Sequence, residues 1–272
     1  MTSVRWISLV CLAVALTPAP SSGAAPTASP PRALAEAWQT LSTGQCDDAI
    51  RQFAAAGASR EARLGLAMAQ FNRPPVTASS LDDARQQFEQ LTAGNDEVGH
   101  AARYFLGRLQ QLHPLNPDPA AAARTYERLI ATGADDRWCR LGLVKLAVLR
   151  LTVLPSPNGF AAQLASAEPL LARTADPVTQ RDLHLVISEV RLHHELYDAG
   201  TLGHLQAALG EPTLPADLRA DLLIQTARLS LKLGDPATAR AHYERFLREF
   251  PKDRRHFTVQ EALAHLGRPF PP

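Results

Sequence analysis

The stretch Leu-Gly-Asp-Pro-Ala-Thr-Ala-Arg-Ala-His-Tyr-Glu-Arg-Phe-Leu-Arg-Glu-Phe-Pro, residues 233 to 251, decides how the chain is read. Gly234 ends one helix, because glycine takes the left-handed conformation at a helix C-terminus without a steric penalty. Asp235 can cap the next helix, with Pro236 at the first helical position, where no backbone N–H is needed. Ala239, Tyr243 and Phe246 then share one face at spacings of four and three, and Pro251 stops the helix. Upstream, Leu222, Leu223, Thr226, Ala227, Leu229, Ser230 and Leu233 supply a preceding amphipathic helix. Together they spell a helical hairpin.

Composition carries the same reading to the whole chain. Its 272 residues include 46 Ala and 40 Leu against 12 Val and 5 Ile, which favours helix over strand throughout. Basic and acidic residues number 28 and 27, so no polyelectrolyte signal marks a nucleic-acid or anionic-membrane partner. With 46% hydrophobic residues the chain can bury a large core.

The hairpin repeats. Leu64-Gly65 with Ala84, Phe88 and Leu91 forms one copy, and Leu106-Gly107 with Ala122, Tyr126 and Leu129 another. An earlier copy reads Ala37, Gly44, Ala49, Phe53 and Ala56. Leu141-Gly142 opens a fourth, whose second helix is broken up by Pro155, Pro157, Asn158-Gly159 and Pro169. A fifth runs from Pro177 to Leu209, with Ile187 where a small residue is expected. In the first three, a small residue allows two helices to approach, and an aromatic plugs the gap to the next hairpin. The segment Asn72 to Ser80 makes the loop inside the second copy over-long.

The unit starting at Ala220 resembles the tetratricopeptide repeat, a helix-turn-helix of about 34 residues. That family places a small residue at its eighth position, Gly at the fifteenth, Ala at the twentieth, an aromatic at the twenty-fourth and Pro at the thirty-second. Here those positions hold Ala227, Gly234, Ala239, Tyr243 and Pro251. The resemblance implies an all-α fold: a right-handed α-solenoid of about six such hairpins, with a C-terminal capping helix from Phe257 to Leu266.

The N-terminus reads as an address. Arg5 precedes an apolar run from Trp6 to Leu16, and Pro18, Pro20 and Gly23 follow it. Such a run reaches only about 16 Å as a helix, too short to span a bilayer. Residues 1–24 are therefore expected to be a secretory signal peptide cleaved after Ala24, 25–31 a Pro/Ala tether, and 32–268 the repeat domain. The destination is the periplasm or the extracellular space. Cys11, preceded by Val10 inside the apolar run, is filler rather than a lipidation site. No stable membrane insertion is expected after cleavage.

Chemical motifs are sparse. His193, His194, Glu195 and Asp198 hold part of a metal-site pattern without a third convergent ligand, and they suit a solvated helix end better. Phosphate loops, nucleophile elbows and dinucleotide fingerprints are absent. No catalytic residue, metal site or cofactor is expected. Cys46 and Cys139 belong to the first and fourth copies, and repeats in a solenoid touch only their neighbours, so no disulfide between them is expected.

In the resembled family, the first helix of each hairpin lines a concave groove that receives a peptide. Carried over by position, the resemblance offers Asp221, Ile224, Arg228, Leu231 and Lys232 in the last unit. In the third it offers Ala101, Tyr104, Arg108, Gln111 and Leu112, and in the fifth Arg181, His184, Ser188, Arg191 and Leu192. The residues singled out for partner binding are Tyr104, Arg108, Gln111, Arg191, Arg228 and Lys232. Their cations suit a partner peptide that carries carboxylates. A rival reading is an accessory subunit of an envelope complex that binds by its convex face; a further one is a helical metal-dependent enzyme.

Overall fold

The protein's structure, a computed structural model, describes residues 32–113 and 116–266. The expected signal peptide and tether, and residues 114–115 and 267–268 of the expected repeat domain, lie outside the described residues. Among the described residues all regular structure is helical: thirteen α-helices and no strand. None of these helices is long and apolar enough to cross a membrane. The chain forms two compact units. One runs to Leu109 and includes His113; the other takes Gln110–Leu112 and continues from Asn116.

The first unit holds α1 (Arg32–Ser42), α2 (Cys46–Ala55), α3 (Arg60–Asn72), α4 (Ala78–Leu91) and most of α5 (Glu97–Leu112). Successive helices from α1 to α4 pack against one another. The seam between α2 and α3 shows how the repeat works. Gly65 sits under the Phe53 ring so closely that an added Cβ would overlap it. Trp38 meets Phe53 edge-on at 4.9 Å, and Phe88 stacks on Phe105 at 5.7 Å. The over-long loop of the second copy is partly helical: residues from Ala78 wind into α4, and Thr77 and Ser80 close a capping box there.

The second unit holds α6 (Pro119–Ile130), α7 (Arg137–Val148), α8 (Gly159–Ala167), α9 (Pro177–His193), α10 (Ala199–Leu209), α11 (Ala216–Lys232), α12 (Pro236–Glu249) and α13 (His256–His265). Asp118, Asp176 and Asp235 each precede a proline and accept the N–H three residues on, at 2.8, 2.8 and 3.0 Å. Each satisfies a helix N–H that would otherwise have no partner. The expected broken helix of the fourth copy resolves into a π-turn at Leu149–Val153, the short α8 and a 3-10 turn at Glu168–Arg173. Pro155 and Pro157 prevent a continuous helix there. At the chain's end, Val259 of α13 is buried, and Ala262, Leu263 and Leu266 pack on the core of α11 and α12.

The small and aromatic positions read from the sequence are core positions. Ala49, Ala84, Ala122 and Ala239 are all 0% exposed, so a larger side chain at any of them would meet a neighbouring helix. Phe53, Phe88, Tyr126 and Tyr243 are buried beside them.

Three hairpin turns share one geometry. Gly44, Glu195 and Gly234 have φ of 79°, 58° and 78°, and the next residue's N–H returns to the carbonyl five back in each case. Glycine takes this conformation freely, whereas Glu195 must hold its Cβ against the preceding turn. Glu195→Gly should therefore stabilise the second unit by about 0.5–1 kcal/mol, read as a higher urea midpoint with unchanged slope. A lower midpoint would show that the Glu195 side chain contributes more than the backbone strain costs.

Candidate interaction surface

The six residues singled out from the sequence meet different fates. Tyr104 is 0% exposed, with its ring edge-on to Phe105 at 5.3 Å. It is a core side chain and is not available to a partner, which corrects its assignment to a groove. The neighbouring Phe105 and Leu109 are buried too, so this face of α5 points inward. Arg108 is half-buried and donates to the Tyr104 hydroxyl at 3.3 Å, with no carboxylate partner among the described residues. Gln111 is half-buried, and its Oε1 accepts no hydrogen bond among the described residues.

Arg191 is also corrected. Its side chain is 12% exposed and its guanidinium is fully engaged. Nε donates to Thr201 Oγ1 at 2.9 Å, Nη2 reaches both Asp198 oxygens at 2.8 and 2.9 Å, and Nη1 reaches Glu168 at 3.3 Å. Thr201 in turn donates to the Leu196 carbonyl at 2.6 Å. Arg191 thus ties α9 to the start of α10. The face of α9 that the family register places in a groove is instead turned toward α10.

Arg228 and Lys232 stand differently. Both are exposed, one turn apart on α11, and neither has a carboxylate partner among the described residues. Lys232 Nζ lies 3.3 Å from the centroid of the Tyr197 ring, which is itself exposed. An ammonium over a ring face is steadied by the ring's quadrupole without being neutralised. Arg228 lies beside the Tyr243 hydroxyl, where burial pushes the phenol up and the guanidinium pulls it back. Two cations are therefore positioned by aromatic side chains and keep their charge available. Leu233, also exposed, adds an apolar neighbour. Of the other family positions on α11, Ile224 is buried and Asp221 is paired with Arg255.

Two residues of the metal-site fragment have partners of their own. His194 ends α9 and stacks on Phe160 at 3.7 Å. Asp198 caps α10 and pairs with Arg191; both interactions hold its carboxyl below the usual range, the backbone N–H of Thr201 most strongly. Cys46 and Cys139 are both buried thiols. Desolvation, helped by Asp47, raises the Cys46 thiol above its ordinary value.

One pair escaped the sequence reading. His184 of α9 and His204 of α10 bring their Nδ1 atoms to 2.8 Å. Burial lowers both imidazoles, and His184 lowers His204 further, to about 4. Twenty residues separate them, so no local spacing announces the contact.

No family model matches the sequence, and no curated protein matches it. Similar solved structures include three. A chain of the APC/C hetero-tetramer Cut9–Hcn1 is 17% identical with a TM-score of 0.44, over 87% of this chain and 42% of that one. The assembly chaperone of RpL4, Acl4, is 16% identical with a TM-score of 0.41, over 88% and 96%. TTC0263, a thermophilic TPR protein of Thermus thermophilus, is 19% identical with a TM-score of 0.28, over 86% and 96%. The chain thus spans less than half the length of the first. At these scores the fold rests on the helices already described.

Proposed function

We propose that the protein is a non-catalytic protein-interaction scaffold of tetratricopeptide-like hairpins, exported to the cell envelope, that binds a carboxylate-bearing partner peptide. The observation that carries this is the pair Arg228 and Lys232: exposed, one turn apart, and without a carboxylate partner among the described residues. A partner carboxylate would complete their charge, and Tyr197 and Leu233 offer it apolar contact. Arg108 is the corresponding cation in the first unit. Export is supported by the plan of residues 1–24, and a protein partner rather than nucleic acid by the near-zero net charge.

A second reading is favoured by α10. Its exposed residues Ala199, Gly203 and Ala207 follow one another at spacings of four with no ionisable group among them. The exposed faces of α6 and α12, by contrast, carry Arg124, Glu127 and Arg128, and Arg240, Glu244 and Arg248. An uncharged, small-residue face suits close packing against another helix. Crosslinking the protein in its own cells, followed by mass spectrometry of the captured partner, separates the two. Arg108→Glu with Arg228→Glu should cut capture at least about tenfold while leaving helicity unchanged. Full capture by that variant, with loss in Gly203→Glu, would overturn the first reading in favour of the second.

A further inference from the structure

The His184–His204 contact is neither part of the cationic surface nor required by the repeat pattern. With 2.8 Å between nitrogens and 5.0 Å between ring centroids, the two rings stand nearly end to end. That is the geometry of a direct N–H···N bond. A chelated metal would need the two lone pairs to converge on a third point instead. In the neutral pair one Nδ1–H donates and the other Nδ1 accepts.

Protonation acts on this bond in two steps. A first proton from solvent goes to the outer Nε2 of the donor ring, and the bond survives as a charge-assisted one. A second proton goes to the accepting Nδ1, which removes the acceptor and sets two N–H groups and two positive charges against each other. Around the pair, Arg191 of α9 opposes the added charge and Asp198 at the head of α10 favours it. The elements packed on α9 and α10 also carry Lys145 of α7, Glu168 of the 3-10 turn, and Asp221 and Arg228 of α11.

We propose that His184 and His204 form an acid-labile latch that holds α10 against α9 and releases it on the second protonation. The sign follows from linkage. Both imidazoles lie below the ordinary histidine value of 6.5, with His204 at about 4, so the unfolded hairpin binds more protons than the folded one between these values. The latch is therefore fully effective above about pH 6.5 and fails as pH falls toward about 4. It stands whether or not the α11 surface binds a partner.

Amide hydrogen exchange read by mass spectrometry, corrected for intrinsic rates, tests this on the full chain at about pH 7, 5.5 and 4. In the native protein, peptides covering α10 should lose at least about tenfold in protection relative to α12 on going to the lowest pH. In His204→Gln, whose amide can bond His184 but takes no second proton, the relative loss should be under about threefold. Parallel loss in α10 and α12 of the native protein would overturn the latch, as would an equal α10 loss in the variant. Should His204→Gln lack native helicity at neutral pH, His184→Gln is read by the same criteria.

Discussion

Gly65→Ala should destabilise the first unit by about 3 kcal/mol, read as a fall in the urea midpoint without loss of cooperativity. Gly65 has no side chain because the Phe53 ring occupies the place where one would be, and Phe53 is itself almost wholly buried between α1, α2 and α3. Trp38 holds the ring edge-on at 4.9 Å, so it cannot simply rotate away. A new methyl must push the ring off its rotamer or part the helices, and both are costly in a packed interior. The cause is testable by coupling. In a Phe53→Leu background the ring is gone, and the same Gly65→Ala change should cost less by about 1–2 kcal/mol. Strict additivity of the two changes would show that Gly65 is required for its backbone and not for the space it leaves.

Arg191→Ala should cost about 2 kcal/mol, while Arg228→Ala should change stability by no more than about 0.5 kcal/mol. Both arginines were candidates for the same binding surface, and the structure gives them opposite roles. Arg191 is the shared donor for Thr201, Asp198 and Glu168, and its removal leaves a carboxylate and a buried hydroxyl short of a partner. Asp198 and Glu168 are nearly half exposed, so water recovers part of the loss, which keeps the figure below that of a fully buried pair. Arg191→Lys should recover little, because an ammonium cannot reproduce the planar fork. Chemical denaturation of the three variants checks all of this. Equal effects of Arg191→Ala and Arg228→Ala would return Arg191 to the surface.

The scaffold was readable from the sequence because its determinants are local. Ala239, Tyr243 and Phe246 sit three and four residues apart, as do Ala122, Tyr126 and Leu129, and a helix turns such spacing directly into a buried face. Asp235-Pro236 announces a cap in the same way, since donor and acceptor lie three residues apart. The surface was less readable because it depends on helix register. Tyr104 and Arg191 occupy positions that a regular hairpin would turn outward, yet Tyr104 is covered and Arg191 faces α10. Nothing within one turn of either residue signals that rotation. The Lys232–Tyr197 and His184–His204 contacts each join different helices or turns, so only the folded chain brings them together. In the fourth copy the prolines announced a break, but not the π-turn and 3-10 turn that fill it.

The placement of Cys46 and Cys139 gives the molecule a pair of internal reporters. Cys46 belongs to the first unit and Cys139 to the second, and both are buried. A thiol reagent can reach either sulfur only when the surrounding hairpins open. The raised thiol of Cys46 also slows reaction in the folded state, which sharpens the contrast with the opened one. Opening around each sulfur is thus chemically addressable by a native side chain.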